Sequence, residues 1–118
     1  NNHTFEITPT GQWDQKITHA FFGELNLMVD RLDGKAWATL VDARNWLVAT
    51  LDVQKIIEKE TQAITQKALK REAFVLRDSD LANYQSEVMS PQITGYQRKA
   101  FSNKDDARHW LQAEGYKT

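Results

Sequence analysis

A chain of 118 residues suits one domain with one core, and 41% hydrophobic with 26% charged residues excludes a disordered one. Its 15 basic and 16 acidic residues leave a formal charge of −1, without the basic excess that a nucleic-acid footprint needs. There is no cysteine, which excludes disulfides, thiolate metal sites and cysteine catalysis, and fits a reducing, cytoplasmic setting. No apolar run is long enough to span a membrane, and the opening NNHTFEIT lacks a charged-then-apolar signal pattern. The first residue is not methionine, as in a processed or trimmed start.

The first element is a half-buried strand over 4–8, where apolar and polar residues alternate until Pro9 and Gly11 stop it. Asp14 caps a helix whose apolar face carries Ile17, Phe21, Phe22, Leu25, Met28, Val29 and Leu32. Gly23 inside it reads as a close-packing point, and Asp33-Gly34 ends it, with Gly34 in the left-handed cap. A buried central strand follows over 36–42, where WATLV runs into the turn DARN. A long helix is expected over 50–70. Val53, Ile56, Ile57, Ala63, Ile64 and Ala68 form its buried stripe, and Gln54, Lys55, Glu58, Lys59, Gln62, Gln66 and Lys70 lie on its wet face. Asp52 near its start and Lys67, Lys70 and Arg71 near its end complement the helix dipole.

A short strand over 73–76 comes next. The helix after it is capped by Ser79 or Asp80, turns Leu81, Tyr84, Val88 and Met89 inward, and stops at Pro91. A polar edge strand over 94–101 follows, with Tyr96 and Phe101 as its buried positions. Ser102 and Asp105 then form a capping pair for the last helix, whose core face is Ala107, Trp110 and Leu111 and whose end is Gly115. Strands alternating with helices predict one α/β domain over 1–118. Its four- to five-stranded, mainly parallel central sheet has helices packed around it.

Sites in such a sheet lie beyond the carboxyl ends of the strands. Thr8-Pro9-Thr10-Gly11 resembles the FMN-phosphate loop of flavodoxins, but Pro9 lacks a donor and Asp14 would repel a phosphate, so it reads as a tight turn and no cofactor is assigned. Asp42 at a strand end lacks the acidic partners that a magnesium-dependent phosphoacceptor needs. It reads as accepting local backbone N–H groups or pairing with Arg44 or Arg77. His3, His19 and His109 have no ligand-like spacing, and no nucleophile elbow exists, so neither a metal site nor an enzyme is expected. Trp37 and Trp110 belong to the core by position. Trp13 and Trp46 fall in loops at the same end of the sheet, as a sticky patch or as caps over the core.

One combination of residues resembles the SpoIIAA-like proteins, small bacterial α/β domains related to the STAS domain of anti-sigma-factor antagonists. It comprises Gly11-x-Trp13-Asp14, Trp37-Ala38-x-Leu40-Val41-Asp42-x-Arg44-x-Trp46, Glu72-Ala73-Phe74-Val75 and Ala100-Phe101-Ser102-x-x-x-Asp106-Ala107-x-x-Trp110-Leu111. The resemblance implies a central sheet flanked by helices. The antagonists bind an anti-sigma kinase and are switched at a serine after the central strand. Residues 44–50 hold no serine, and Thr50, their sole hydroxyl, reads as an N-cap. Relatives often open with two strands, whereas one is visible here.

The expectation is therefore a non-enzymatic binding or regulatory domain. Its surface is Trp13, Asp42, Arg44, Asn45, Trp46, Arg77 and Ser79, and its partner is a protein. A carrier of a small apolar or anionic ligand such as a lipid is the alternative. A homodimer through the edge strand or the first helix is compatible with either.

Overall fold

The structure, a computed structural model, describes residues 2–81 and 95–118. Within them the elements run β1 (His3–Ile7), α1 (Gln15–Asp30), β2 (Trp37–Asp42), α2 (Leu51–Thr65), β3 (Leu69–Val75), β4 (Gln97–Phe101) and α3 (Lys104–Ala113). Residues 78–81 are also helical. The four strands form one sheet in the order β1-β2-β3-β4, and every pairing is parallel. The parallel α/β expectation holds, with β4 at an edge and a single strand ahead of α1.

Alternation along β2 divides the core between the two sheet faces. Trp37 joins Phe5, Phe22, Leu25, Val29, Ile64 and Leu69 on the face covered by α1 and α2. Ala38 and Leu40 join Ala73, Val75, Ala107, Leu111 and Tyr116 on the face covered by α3. Each large aliphatic or aromatic side chain so buried contributes about 1.5–3 kcal/mol. Trp37 is fully enclosed, and its indole N–H donates to the Lys67 carbonyl at 2.8 Å, so the ring is buried without an orphaned donor.

The helix ends follow the local chemistry. Asp14 caps α1 as expected, accepting from the Ile17 N–H at 2.8 Å. Thr50 is the N-cap residue of α2, although its side chain bonds to the Asp52 carboxylate and not to the backbone. Gly115 (φ +94°) closes α3 in a Schellman arrangement: its N–H donates to Gln112 O, and Tyr116 N–H to Leu111 O. Gly34 is left-handed as expected, but α1 has already stopped at Asp30, before Leu32.

Several expectations fail for identifiable reasons. The long helix does not reach residue 70. It stops at Thr65, Ala68 turns left-handed (φ +70°), and Leu69 enters the sheet opposite Trp37. Lys70 and Arg71 therefore lie in β3, which has seven residues, and no basic residue sits in the last turn of α2. Pairing with β2 overrides the helical propensity of this lysine- and alanine-rich stretch. Ala63 faces solvent, since the buried residues of α2 are Val53 and Ile64, and Ile17 and Met28 do so because the buried stripe of α1 is Thr18, Phe22, Leu25 and Val29. Gly23 is exposed too, and a Cβ there would meet nothing within 4 Å, so it is no packing point. β4 begins at Gln97, leaving Tyr96 half-buried just ahead of it. The cap of α3 is Asn103 and not Ser102: Asn103 accepts from Asp106 N–H at 2.8 Å and donates back to its carboxylate at 3.1 Å. Trp110 is half-buried against Phe101. Ser79 lies within the helical turn, with Asp78 opening it. Tyr84, Val88, Met89 and Pro91 lie outside the described residues.

Candidate functional site

Two loops at the carboxyl end of the sheet are stitched together. Gly11 takes a left-handed backbone (φ +67°), its N–H donates to Asn45 O at 3.0 Å, and its carbonyl accepts from Leu47 N–H at 2.9 Å. This brings Trp13 and Trp46 edge to face with centroids 6.2 Å apart, and Trp13 also packs on Phe21. Such aromatic pairs add about 0.5–1.5 kcal/mol beyond area burial. The expected meeting of the two tryptophans is therefore seen, anchored by backbone bonds.

Beneath these rings lies a cavity of about 650 Å³ between the sheet and the first two helices. Its floor is the sheet face carrying Ile7, Thr39, Val41, Phe74 and Leu76. Phe21, Phe22 and Leu25 of α1 form one wall, and Ile57 and Ile64 of α2 another. Pro9, Trp13, Trp46 and Val48 line it from the loops. Gln54, Glu58 and Gln62, on what reads in sequence as the wet side of α2, also line it, together with Thr61. A site of this size with apolar walls and a few converging polar groups is the ordinary form of a small-molecule pocket.

The polar groups collect at Glu72. A bulge in the β2–β3 register at Trp37/Ala38 switches the alternation of β3, so that Glu72 and Phe74 share the face of Leu69. The Glu72 carboxylate is buried. It accepts from Thr39 Oγ1 at 3.3 Å, from Arg98 at 3.1 Å and from the Tyr96 hydroxyl. Burial first, and the adjacent carboxylate second, hold the Tyr96 phenol well above its usual value, so it stays a donor. Arg98 also lies over the Phe74 ring at 5.3 Å. Trp46 lines the same cavity, and its buried Nε1–H has no acceptor among the described residues.

The seven residues expected to form a surface separate. Trp13, Trp46 and Arg77 line the cavity, with Arg77 paired to Asp80 at 3.1 Å. Asp42 and Arg44 do not. Asp42 is buried and accepts from Arg44 Nε at 2.9 Å, Nη2 at 2.7 Å and the Arg44 backbone N–H at 3.2 Å. Lys104 of α3 stands 3.8 Å away, so this pair belongs to the opposite face. The Arg44 hydrogen bond holds the Asp42 carboxyl below its usual range. Asp42 thus takes the structural role, with Arg44 and not Arg77 as its partner. Asn45 and Ser79 are exposed and lie outside the lining.

Sequence reasoning missed Thr39, Glu72, Tyr96 and Arg98. The available signal was Glu72, a charge one residue before an apolar strand. It gains meaning only once β3 is known to start at Leu69.

No protein-family model and no curated protein matches the chain. Among solved structures it is similar to an uncharacterised protein of the DUF3478 family with a SpoIIAA-like fold, from Shewanella loihica PV-4. The TM-score is 0.70 over 90% of this chain and 82% of that one, at 18% identity. The chain has a SpoIIAA-like fold. The resemblance carried by the Trp37–Trp46 segment and the final helix is thus met at the level of architecture. A SpoIIAA-like fold does not by itself assign an activity. No helix among the described residues is long and apolar enough to cross a membrane. Those residues also contain no group of three potential metal ligands.

Proposed function

We infer that this protein is a non-enzymatic binding domain that holds a small apolar molecule between its sheet and helices α1 and α2. The carboxyl-end loops form the rim. The observation that carries this reading is the cavity of about 650 Å³, within the ordinary range of ligand sites. The cleft is lined chiefly by apolar side chains, and an apolar occupant would remove that surface from water. The one hydroxyl–carboxylate contact described in the lining, Thr39 to Glu72, is spent within a buried cluster with Tyr96 and Arg98, which favours holding over transforming.

The test is titration with N-phenylnaphthylamine, a neutral dye that brightens in apolar surroundings, together with native mass spectrometry of the purified protein. Saturable binding at one dye per chain, weakened by Val41→Phe, which narrows the cavity floor, is the expected result. Absence of saturable binding to the folded protein sinks the reading.

A second reading has its own observation. Leu47, Val48 and Leu51 are 55%, 76% and 74% exposed in one short stretch ahead of and into α2. Contiguous exposed apolar surface marks interaction sites, so a protein partner or a second copy would dock on this loop. Sedimentation velocity and affinity capture with the Leu47→Ser/Val48→Ser/Leu51→Ser variant decide it. Unchanged assembly and unchanged captured partners would remove the surface from consideration.

A further inference from the structure

The charges on the cavity wall restrict what can sit inside. Among the described lining residues the cations are Arg77 and Arg98, and the anions are Glu58, Glu72 and Asp80. Arg98 is committed to the buried Glu72 at 3.1 Å, whereas Arg77 is half-exposed beside Asp80 at 3.1 Å, where water screens its charge and an added ion pair contributes little. Glu58 makes no ion pair among the described residues. Residues 82–94 read ANYQSEVMSPQIT and contain no lysine, arginine or histidine, so that segment has no cation to offer. A carboxylate or phosphate entering the cavity would find no buried cation free of a partner among the described lining residues, only the solvated Arg77. To capture Arg98 it would have to displace Glu72, whose residue is only 6% exposed, and leave that carboxylate buried without its cation. Breaking a buried pair in this way is more costly than never forming one. What the wall does offer is neutral hydrogen bonding, from Thr61, Gln62 and Trp46, whose buried indole N–H has no acceptor among the described residues.

We propose that the bound molecule is uncharged: an apolar body ending in a hydroxyl, ester or ketone, and not a fatty-acid or phosphate anion. This rests on the cavity reading above and narrows its ligand class.

The experiment is displacement of N-phenylnaphthylamine from the full chain by decanol, decanoate and decylamine, at about pH 8 where free carboxylates are ionised. Decanol is expected to compete at least about tenfold better than decanoate, since an unpaired buried charge is costly. Decylamine is expected to fall behind decanol too, because Glu58 is exposed and solvated and returns little for the desolvation of an ammonium group. Decanoate equal to or better than decanol, or decylamine better than decanol, overturns the proposal while leaving the cavity reading intact. Failure of the dye itself to bind removes both.

A charge cycle tests the cause. Glu72→Gln keeps the shape and frees Arg98, so decanoate should gain about tenfold relative to decanol, the scale of a charge-assisted contact. The Glu72→Gln/Arg98→Gln variant should return to preferring decanol. A misfolded variant cannot reproduce that reversal. A decanoate-to-decanol ratio that stays constant across properly folded variants refutes the charge argument, and the wild-type series stands as a test if a variant fails to fold.

Discussion

Val41→Phe separates an open cavity from a filled core by the sign of its effect on stability. Val41 sits half-buried on the central strand, paired with Ile7 and Phe74, and lines the cavity floor. Phenylalanine adds about four carbons, worth about 3 kcal/mol if wholly buried and roughly half that at a half-buried site. Both residues suit a strand, so backbone propensity hardly changes. In a close-packed interior the same enlargement costs about 1–3 kcal/mol through forced rotamers and backbone shifts. With a cavity of about 650 Å³ beside it, the larger ring has room. The expected outcome is a gain of about 1 kcal/mol, read as a rise of about 0.5 M in the urea midpoint at unchanged slope. Circular dichroism should follow the transition, since tryptophan fluorescence would report the ring contacts as well. A midpoint that falls by a similar amount, with dye affinity untouched, would show that the sheet face is already filled and that the cavity carries no function.

Gly23→Ala should stabilise the protein by about 1 kcal/mol, because Gly23 is an exposed helix-interior residue whose added methyl meets nothing; thermal unfolding reads this, and a loss would mean that the glycine has a contact after all. Trp37→Phe should cost about 2–4 kcal/mol, combining a cavity in the enclosed core with an orphaned Lys67 carbonyl. A cost below 1 kcal/mol in urea denaturation would contradict that packing. Asp42→Asn concerns acid sensitivity. The folded carboxyl is held below its usual range, chiefly by Arg44, so the unfolded chain binds the proton more readily. The stability it contributes is complete above the unfolded value, about 3.9, and is lost as pH falls through the lower folded value. The variant should lose roughly 1 kcal/mol near neutrality, a modest figure because Arg44 is 40% exposed. Its stability should also fall less steeply on acidification, and identical acid slopes for the two proteins would refute the assignment.

The cavity also changes what the carboxyl-end loops mean. Considered alone, Arg44 beside Trp46 suggests a gripping surface. The structure turns the two residues apart: Arg44 clamps Asp42 on the α3 side, and Trp46 joins Trp13 over the other face. On the proposed reading the loops are a rim, and the groups that would choose an occupant lie deeper, around Glu72.

Local chemistry determined much of the architecture. The apolar run WATLV, the Asp14 cap and the left-handed Gly34 and Gly115 all depend on neighbours close in the chain, which is why they could be read from it. The long α2 misled because Lys67-Ala68-Leu69-Lys70 favours helix by propensity, and only the parallel partner Trp37 draws Leu69 into a strand. That early start, with the bulge beside it, decides which face Glu72 occupies. The cavity is further still from any local pattern. Its volume is the difference between the separation of α1 and α2 from the sheet and the summed size of the side chains between them, a quantity that exists only once distant elements have packed. Periodicity can say which side chains point inward; whether they meet is decided by the tertiary structure.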